Sequence, residues 1–398
     1  MPRTTTDAAA RPRPGRAARF ARSWTGLMGL AVLLTFIIAC VGSLPWTLGS
    51  AGRDATGLPL PARYKQGDLS ASLLPPSWAP HAPDEAARRD ARAAALARER
   101  LGREPTADEI RATRPVHLLG TDKLGRDVLT RCLAGGGVSI GIGLAAAIIS
   151  VFIGTVYGSI AGYLGGRIDG AMMRVVDVLY GLPYLLLMVL LAVAGDALLV
   201  RFTTQEPARR AYVEAALASA PTPHDAALLQ SLRDEARTRY PGRPISEGQR
   251  AAYEVLVLLV AIGGLSWLTM SRVIRGQVLS LRAQPFIEAA RAIGVPLHQQ
   301  FLRHLLPNLM GPILVYATLT VPQAILQESF LSFLGIGVRP PLPSWGNLAA
   351  EGLTELNPVR VRWWLIVSPC ALLGATLLAL NFMGEGLREA LDPRRSHR

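Results

Sequence analysis

Six apolar segments, each about 20 residues long, restrict how this chain can fold more than any other feature. A helix of about 20 residues crosses the ~30 Å hydrocarbon layer of a bilayer, where every backbone polar group needs a partner within its own segment. Half of the chain, 50%, is hydrophobic. We therefore predict an all-α polytopic membrane protein with six transmembrane helices. The segments are residues 24–44, 137–164, 172–195, 253–273, 309–330 and 363–382.

Long polar stretches separate some of these segments. Residues 45–116 and 198–251 are predicted to be charged, helix-containing insertions, and 84–113 to be one charged helix with i,i+4 ion pairs such as Asp84 with Arg88. The remaining parts are an arginine-rich arm (1–22), a first transmembrane helix (23–44), a permease domain (117–393, interrupted by the second insertion) and a tail (394–398).

The distribution of arginine predicts the orientation in the membrane. Arginines are concentrated in the arm, in the turn after the second segment, between the fourth and fifth segments, and in the tail. With six crossings, these arginine-rich flanks all lie on the same side of the membrane, and the positive-inside rule predicts that this side is cytoplasmic. The rule applies to short loops and has little influence on the two long insertions. We expect a multi-pass protein of the cell (inner) membrane with both termini cytoplasmic and both insertions extracytoplasmic.

The connection at residues 284–307 has the pattern of a compact helical hairpin. Glu288 lies in the first helical turn, where its charge meets the positive end of the backbone dipole, and Arg291 lies near the other end. Gly294 offers a left-handed helix stop, and Pro296 suits the first turn of a following helix. We interpret the hairpin as a rigid cytosolic contact for another protein. The alternative is an amphipathic helix lying on lipid headgroups.

The hairpin resembles the EAA loop of membrane subunits of ATP-driven (ABC) importers. The resemblance rests on Glu288-Ala289-Ala290, Gly294 and Leu306-Pro307, whereas His304 stands where that loop usually has an apolar residue. Further motifs resemble the dipeptide/oligopeptide (and nickel) family, in its second-permease (C-type) branch. They are His117-Leu118-Leu119-Gly120-Thr121-Asp122 with Gly125-Arg126-Asp127, Leu331-Ser332-Phe333-Leu334-Gly335-Ile336-Gly337, Pro343-Ser344-Trp345-Gly346, and Gly386-Leu387-Arg388 with Leu391-Asp392-Pro393.

This resemblance implies a type I importer permease (MetI-like) fold and a permease subunit of a peptide importer. It also implies a homologous second permease, two ATP-binding subunits at the cytosolic face and an extracytoplasmic solute-binding protein as partners, in a lipid bilayer and without nucleic acid. The residues that it assigns to ATPase coupling are Glu288, Ala289, Ala290, Arg291, Gly294, Leu306 and Pro307.

The chain offers no nucleotide site of its own. Its two lysines, Lys65 and Lys123, both lie outside any phosphate-binding loop pattern. ATP and magnesium are therefore expected in the partner subunits, with no cofactor, metal site or catalytic residue in this chain. The cysteines, Cys40, Cys132 and Cys370, lack metal-binding spacing and are expected to be apolar fillers.

Candidates for the substrate path are ionisable or helix-bending residues at membrane depth. Glu328 and Asp196 are candidates to hold the charged amino end of a peptide, and Pro183 is expected to bend the third segment. The alternative for Glu328, Asp196 and Asp177 is an interfacial position with solvation or an ion pair. Thr121 or Asp122 is expected to cap a short helix at 121–131.

Other functions remain open at this point. A nickel chelate or another solute would fit the same permease. A secondary active carrier would need an intramembrane carboxylate relay or inverted repeats, and a membrane enzyme would need a reactive group of residues at one face. Residues 37–40 also match a lipoprotein cleavage box, which is an alternative to a first transmembrane helix.

Overall fold

The computed structural model of the chain describes residues 20–50, 52, 60–219, 226–241, 246–357 and 360–391, so most of the arm, the tail and Asp392-Pro393 lie outside the described residues. Within those ranges the regular structure is helical, which confirms the all-α prediction. The helices are α1 (Trp24–Gly42), α2 (Leu44–Thr47), α3 (Pro83–Leu101), α4 (Ala107–Thr113), α5 (Val128–Leu164), α6 (Gly166–Gly181), α7 (Tyr184–Thr204), α8 (Glu206–Ser219), α9 (Ala226–Arg239), α10 (Glu247–Arg282), α11 (Pro285–Ala292), α12 (Leu297–Gln299), α13 (Leu306–Phe333), α14 (Trp345–Thr354) and α15 (Trp364–Leu391).

Among the residues that the structure describes, six helices are long and apolar enough to cross a membrane, which confirms the predicted number. They are Trp24–Thr47, Val128–Leu164, Tyr184–Arg201, Gly248–Arg282, Leu297–Phe333 and Trp364–Leu391. Several of them extend well beyond the predicted apolar segments. The clearest case is α5, which begins at Val128 and not at residue 137.

Contacts between helix ends show which ends lie together. The Ser23 hydroxyl donates a hydrogen bond to Glu389 at 3.4 Å, and Arg282 donates one to the carbonyl of Tyr163 at 2.9 Å. At the opposite end of the molecule, the side chain of Leu44 packs against Gly137 of α5. The start of α1 therefore shares one end with the C-terminal ends of α5, α10 and α15.

The predicted third segment, 172–195, is wrong as a continuous helix. The structure breaks it at Leu182, whose backbone is extended with ψ 148°, and Pro183 occupies the N-cap position of α7. The proline ring disfavours helical geometry in the residue before it, so α6 ends and α7 starts afresh. Pro183 therefore separates two helices instead of bending one, and the crossing itself is Tyr184–Arg201.

The short helix expected at 121–131 is also wrong. The cap of α5 is Asp127, which accepts a hydrogen bond from the Thr130 amide at 2.8 Å. Burial raises the pKa of Asp127, but hydrogen bonds from His117 and Thr130 lower it, and the net pKa lies below its ordinary value. The cap is thus held ionised, where the positive end of the helix dipole stabilises it.

A buried ion network locks the loop before α5 to α14. Arg126 pairs with Asp122 at 2.7 Å instead of with its neighbour Asp127. Arg131 contacts Asp122 at 2.8 Å and Glu351 of α14 at 2.6 Å. Two arginines and two carboxylates therefore balance their charges, which makes their burial tolerable.

Each described insertion contains a pair of packed helices. The predicted continuous helix at 84–113 is interrupted at Gly102, which has φ +67°. The expected partner of Asp84 is also different, because Arg360 of the distant 360–363 segment binds it at 2.7 Å. In the second insertion, α8 packs against α9.

Small residues bring α5 and α10 into close contact. Gly154, Gly158 and Gly162 face α10, as expected for a stripe at four-residue spacing. A Cβ on Gly158 would overlap the carbonyl oxygen of Ser271, and one on Gly162 would lie 2.9 Å from the carbonyl oxygen of Arg275. Only glycine, whose side chain is a hydrogen atom, allows α5 and α10 to lie this close together.

We expect Gly158→Ala to destabilise the fold by about 1–3 kcal/mol, because the new methyl group forces the two backbones apart. Gly141→Ala is the matched control, since a Cβ at that position of α5 meets nothing within 4 Å. The measurement is the thermal unfolding midpoint of the purified protein in detergent. Equal midpoints for the two variants would contradict the close approach.

Candidate functional site

The first arm of the hairpin is α11, as the sequence predicted. Pro285 occupies its first turn, Glu288 lies in the same turn and Arg291 lies in the last turn. Ile287 is completely buried, and Ala290 is only 5% exposed. Glu288 and Arg291, by contrast, are exposed. The helix thus has an inner apolar side and an outer charged side.

Gly294 ends α11 in the predicted left-handed conformation, with φ +76°. The Gly294 amide donates to the Arg291 carbonyl at 3.1 Å, and the Val295 amide donates to the Ala290 carbonyl at 3.0 Å. These two bonds form a Schellman motif, which satisfies carbonyls that the helix end would otherwise leave unpaired. A Cβ on Gly294 would meet nothing within 4 Å, so the requirement for glycine is conformational.

The second arm is not a separate helix. It starts at Leu297, one residue after the Pro296 cap, and continues through a π turn, Gln300–Leu305, into α13. Pro307 explains the π turn, because its nitrogen cannot donate and its ring would collide with the carbonyl four residues back. Leu306 and Pro307, assigned to coupling, therefore lie inside the start of the fifth crossing helix.

Tyr163, at the end of α5, holds the hairpin in place. Its hydroxyl donates to the side-chain oxygen of buried Gln300, whose amide group donates to the Val295 carbonyl at 2.6 Å. The guanidinium of Arg291 lies 5.7 Å from the centre of the Tyr163 ring, in cation–π range. Sequence reasoning missed Tyr163 and Gln300, since neither belongs to the motif and they are 137 residues apart.

Ion pairs fix α10, the helix that leads into the hairpin, to α6. Arg275 of α10 binds Asp169 of α6 through two hydrogen bonds, one of them 2.6 Å long. Asp177 accepts a hydrogen bond from Arg272 at 2.9 Å, which agrees with the ion-paired alternative for this residue. The end of α10 that leads into the hairpin is therefore held against α6.

Exposed apolar side chains mark the outer surface of the hairpin. Ile293 is 80% exposed, and Leu297 and Leu302 are each more than half exposed. Together with exposed Ala289, they form an apolar surface next to the charges of α11. Ala290, which the family resemblance assigns to coupling together with Ala289, is instead buried. Contiguous apolar patches rimmed by charge typically mark contacts with other proteins.

Glu328, a substrate-path candidate, is buried inside the protein. It is 0% exposed, and its carboxyl accepts a hydrogen bond from Ser332 at 2.7 Å and one from Ser329 at 3.3 Å. The hydroxyls of Ser139 of α5 and Ser344 at the start of α14 also lie near it. The solvated or ion-paired alternative for Glu328 is therefore wrong, because the hydroxyls that donate to it are buried. Its contact with substrate stays a prediction.

Asp196 lies within α7, and Pro183 is the residue at its N-cap. Asp196 forms a bidentate pair with Arg339 from the loop after α13, at 2.9 and 3.2 Å. This agrees with the ion-paired alternative, and a role in substrate binding stays a prediction. Pro183 is exposed at this N-cap position.

Comparison with known proteins settles the family. The family described as "Binding-protein-dependent transport system inner membrane component" matches residues 154–397. The chain belongs to this family. It is therefore a multi-pass membrane permease of an ABC importer, with the fold that the sequence resemblance implied.

The relatives of this permease include named peptide transport proteins. The oligopeptide transport system permease protein OppC of Escherichia coli strain K12 is 39% identical over 278 residues, which is 70% of this chain and 72% of the relative. The dipeptide transport system permease protein DppC of Bacillus subtilis strain 168 is 37% identical over 70% of this chain and 69% of its own length. A putative peptide permease protein of Brucella suis is 34% identical over 70% of this chain and 73% of its own length.

We expect Tyr163→Phe to loosen the hairpin, because it keeps the ring near Arg291 but removes the hydrogen bond to Gln300. Loss of about 1 kcal/mol corresponds to roughly fivefold faster hydrogen exchange in residues 295–305. Tyr157→Phe is the control, since the Tyr157 hydroxyl donates to the Met172 carbonyl at 2.8 Å on the same helix but away from the hairpin. Similar exchange in the two variants would argue against the Tyr163 contact.

Proposed function

We propose that this permease forms half of the translocation path of an ATP-driven peptide importer and receives force through the hairpin at 284–307. The observation that carries the proposal is the apolar surface of the hairpin, held rigidly by Tyr163 at the arginine-rich end of the molecule. The names of its relatives support a dipeptide or oligopeptide as the solute.

The proposed assembly has the partners expected from the sequence. A homologous second permease completes the path, two ATP-binding subunits contact the hairpins at the cytosolic face, and an extracytoplasmic binding protein delivers the solute. ATP and magnesium bind the ATPase subunits. The arginine-rich flanks support a cytoplasmic position for the hairpin and both termini.

Coupling would work through a change in separation between two hairpins. ATP-driven closure of the ATPase subunits draws the hairpins of the two permeases together, and the crossing helices move from an inward-open to an outward-open arrangement. The second arm belongs to the same helix as the fifth crossing, so movement of the hairpin reaches the bilayer without an intervening flexible loop. Glu288 and Arg291 supply charges that orient the contact.

We expect Ala289→Cys to crosslink to an ATPase subunit and to react with a reagent confined to the cytoplasm. Ala290→Cys is the matched control, since that neighbouring side chain is buried and should react much more slowly. Both variants require Cys370→Ser, because Cys370 is the exposed native cysteine among the described residues. Labelling of Ala289→Cys from the cell exterior would overturn the assignment of the hairpin to the cytosol.

We expect Gly294→Pro to insert normally but to hydrolyse ATP without peptide uptake, because proline cannot adopt φ +76° and the turn must change. Gly294→Asn should retain most coupling, since asparagine tolerates the left-handed conformation. The measurement is ATP-dependent tripeptide uptake per ATP hydrolysed in proteoliposomes. Equal coupling in both variants would mean that the geometry of this turn has no part in force transfer.

A further inference from the structure

An apolar groove lies between the end of α5 and the second arm of the hairpin. Its volume is about 260 Å³, and its walls include Val156, Ile160 and Leu164 of α5 and Leu297 and Phe301 of the second arm. The three α5 side chains are exposed by 41%, 44% and 47%, so the groove is open along one side. A crossing helix and the coupling hairpin therefore share a surface that a long apolar ligand could cover.

The groove lies at the level where the bilayer changes from hydrocarbon to headgroups. On α10, the first charged residues after Glu254 are Arg272 and Arg275. A Cβ on Gly158 of α5 would lie 3.1 Å from the amide nitrogen of Arg275, so these charges begin beside residues 156–164. The groove is thus located where the headgroup, the glycerol and the first part of the acyl chains of a phospholipid lie.

The groove is continuous with an exposed apolar line on α5. Leu144, Ile148 and Phe152 precede Val156 at four-residue spacing and are exposed by 48%, 60% and 69%. Side chains four residues apart lie one above the other on a helix. An acyl chain that follows this line from the middle of the bilayer reaches the groove at Val156.

Two guanidinium groups lie at the hairpin end of the groove, beside Tyr163, which also lines it. The exposed Arg291 guanidinium is 5.7 Å from the centre of the Tyr163 ring, and Arg282 donates to the Tyr163 carbonyl at 2.9 Å. Neither guanidinium pairs with a carboxylate in the part of the chain that the structure describes. Basic groups beside a groove at the membrane surface are suited to the phosphate of an anionic lipid.

The wall of the groove also contains a hydroxyl group without a hydrogen-bond partner. Ser159 lines the groove and is only 3% exposed, and its Oγ atom has no partner among the described residues. A buried donor without an acceptor costs free energy, and an ester oxygen that enters between α5 and the second arm would accept this hydrogen.

The spacing of these polar groups fits a phospholipid. Ser159 precedes Tyr163 by four residues, which is about 6 Å along the helix axis. The headgroup layer on each side of a bilayer is about 5–8 Å thick. A lipid ester at the inner edge of this layer therefore lies level with Ser159 when the phosphate lies level with Tyr163 and its two arginines.

We propose that the groove binds an anionic phospholipid, whose ester carbonyl accepts a hydrogen bond from Ser159 and whose phosphate contacts Arg291 and Arg282. Its acyl chain packs between α5 and the second arm, so the lipid adds to the contacts that hold the hairpin against α5. Leu297, which also belongs to the outer apolar surface of the hairpin, marks the border between the lipid and the proposed ATPase contact. The inference does not depend on the solute that the permease carries.

The test is photolabelling of the complete transporter in nanodiscs of about three parts phosphatidylcholine to one part phosphatidylglycerol. The probe is either phosphatidylglycerol or phosphatidylcholine with a diazirine in one acyl chain, close to the ester. We expect the phosphatidylglycerol probe to label peptides from 156–164 and 297–301 about fivefold more than the phosphatidylcholine probe. Equal labelling by the two probes would overturn the proposed recognition of an anionic lipid.

One pair of variants tests the groove itself. Ile160→Trp should lower the labelling of these peptides about fivefold, because the indole ring fills the groove. Ile148→Trp is the matched control, since Ile148 is also an exposed isoleucine of α5 but lies outside the groove. Equal labelling of the two variants would show that the lipid does not occupy this groove.

A second pair tests the headgroup contact. Arg291→Gln should remove most of the preference for phosphatidylglycerol and leave labelling by phosphatidylcholine unchanged. Arg303→Gln should keep the preference, because Arg303 is an exposed arginine of the second arm outside the lining of the groove. Efficient crosslinking of an Ile160→Cys variant to a second permease in the same nanodiscs would make the groove a subunit interface and overturn the lipid site, without bearing on the proposed transport function.

Discussion

The contact between the backbones of α5 and α10 is the constraint on which the rest of the structure depends. In a bilayer, lipid tails are as apolar as leucine, so helices associate through close packing and hydrogen bonds and not through burial from water. The glycine stripe of α5 provides that packing. It brings Tyr163 beside the hairpin and leaves Arg282 of α10 to bind the carbonyl oxygen of Tyr163.

Several motifs that carried the family resemblance prove to be parts of one buried assembly. Ser332 and Ser344 belong to different motifs, yet Ser332 donates a hydrogen bond to Glu328 and Ser344 lies near the same carboxyl. Trp345 is buried beside them and donates its indole hydrogen to the Cys132 carbonyl at 3.1 Å. Asn347 donates to two carbonyls of the preceding loop, at 2.9 and 3.1 Å. These motifs thus specify the junction between α5, α13 and α14.

The sequence predicted the features that depend on local chemistry. The six crossings follow from apolar length, and the hairpin turn follows from the conformational freedom of Gly294. Predictions failed where two local preferences of the sequence conflicted, or where contacts between distant parts of the chain outweighed a local preference. Apolar composition suggested that a helix could continue through Pro183, but the proline geometry prevailed.

Tertiary contacts were beyond the reach of sequence reasoning. Asp127 could be recognised as the helix cap only once the start of α5 was known. Arg126 pairs with Asp122 because the loop between them folds back and brings the two side chains together. The contact between Tyr163 and Gln300 joins residues with no shared pattern. The inward position of Ala290 likewise depends on where α11 rests against the crossing helices.

The long helix from Leu297 to Phe333 has a mechanical consequence. Its 37 residues span about 55 Å and join the Gly294 turn at one end to the segment that carries Arg339 at the other. The π turn and the two internal prolines, Pro312 and Pro322, are the points at which this helix can bend. A displacement of the hairpin therefore reaches the far side of the bilayer only to the extent that these three points transmit it.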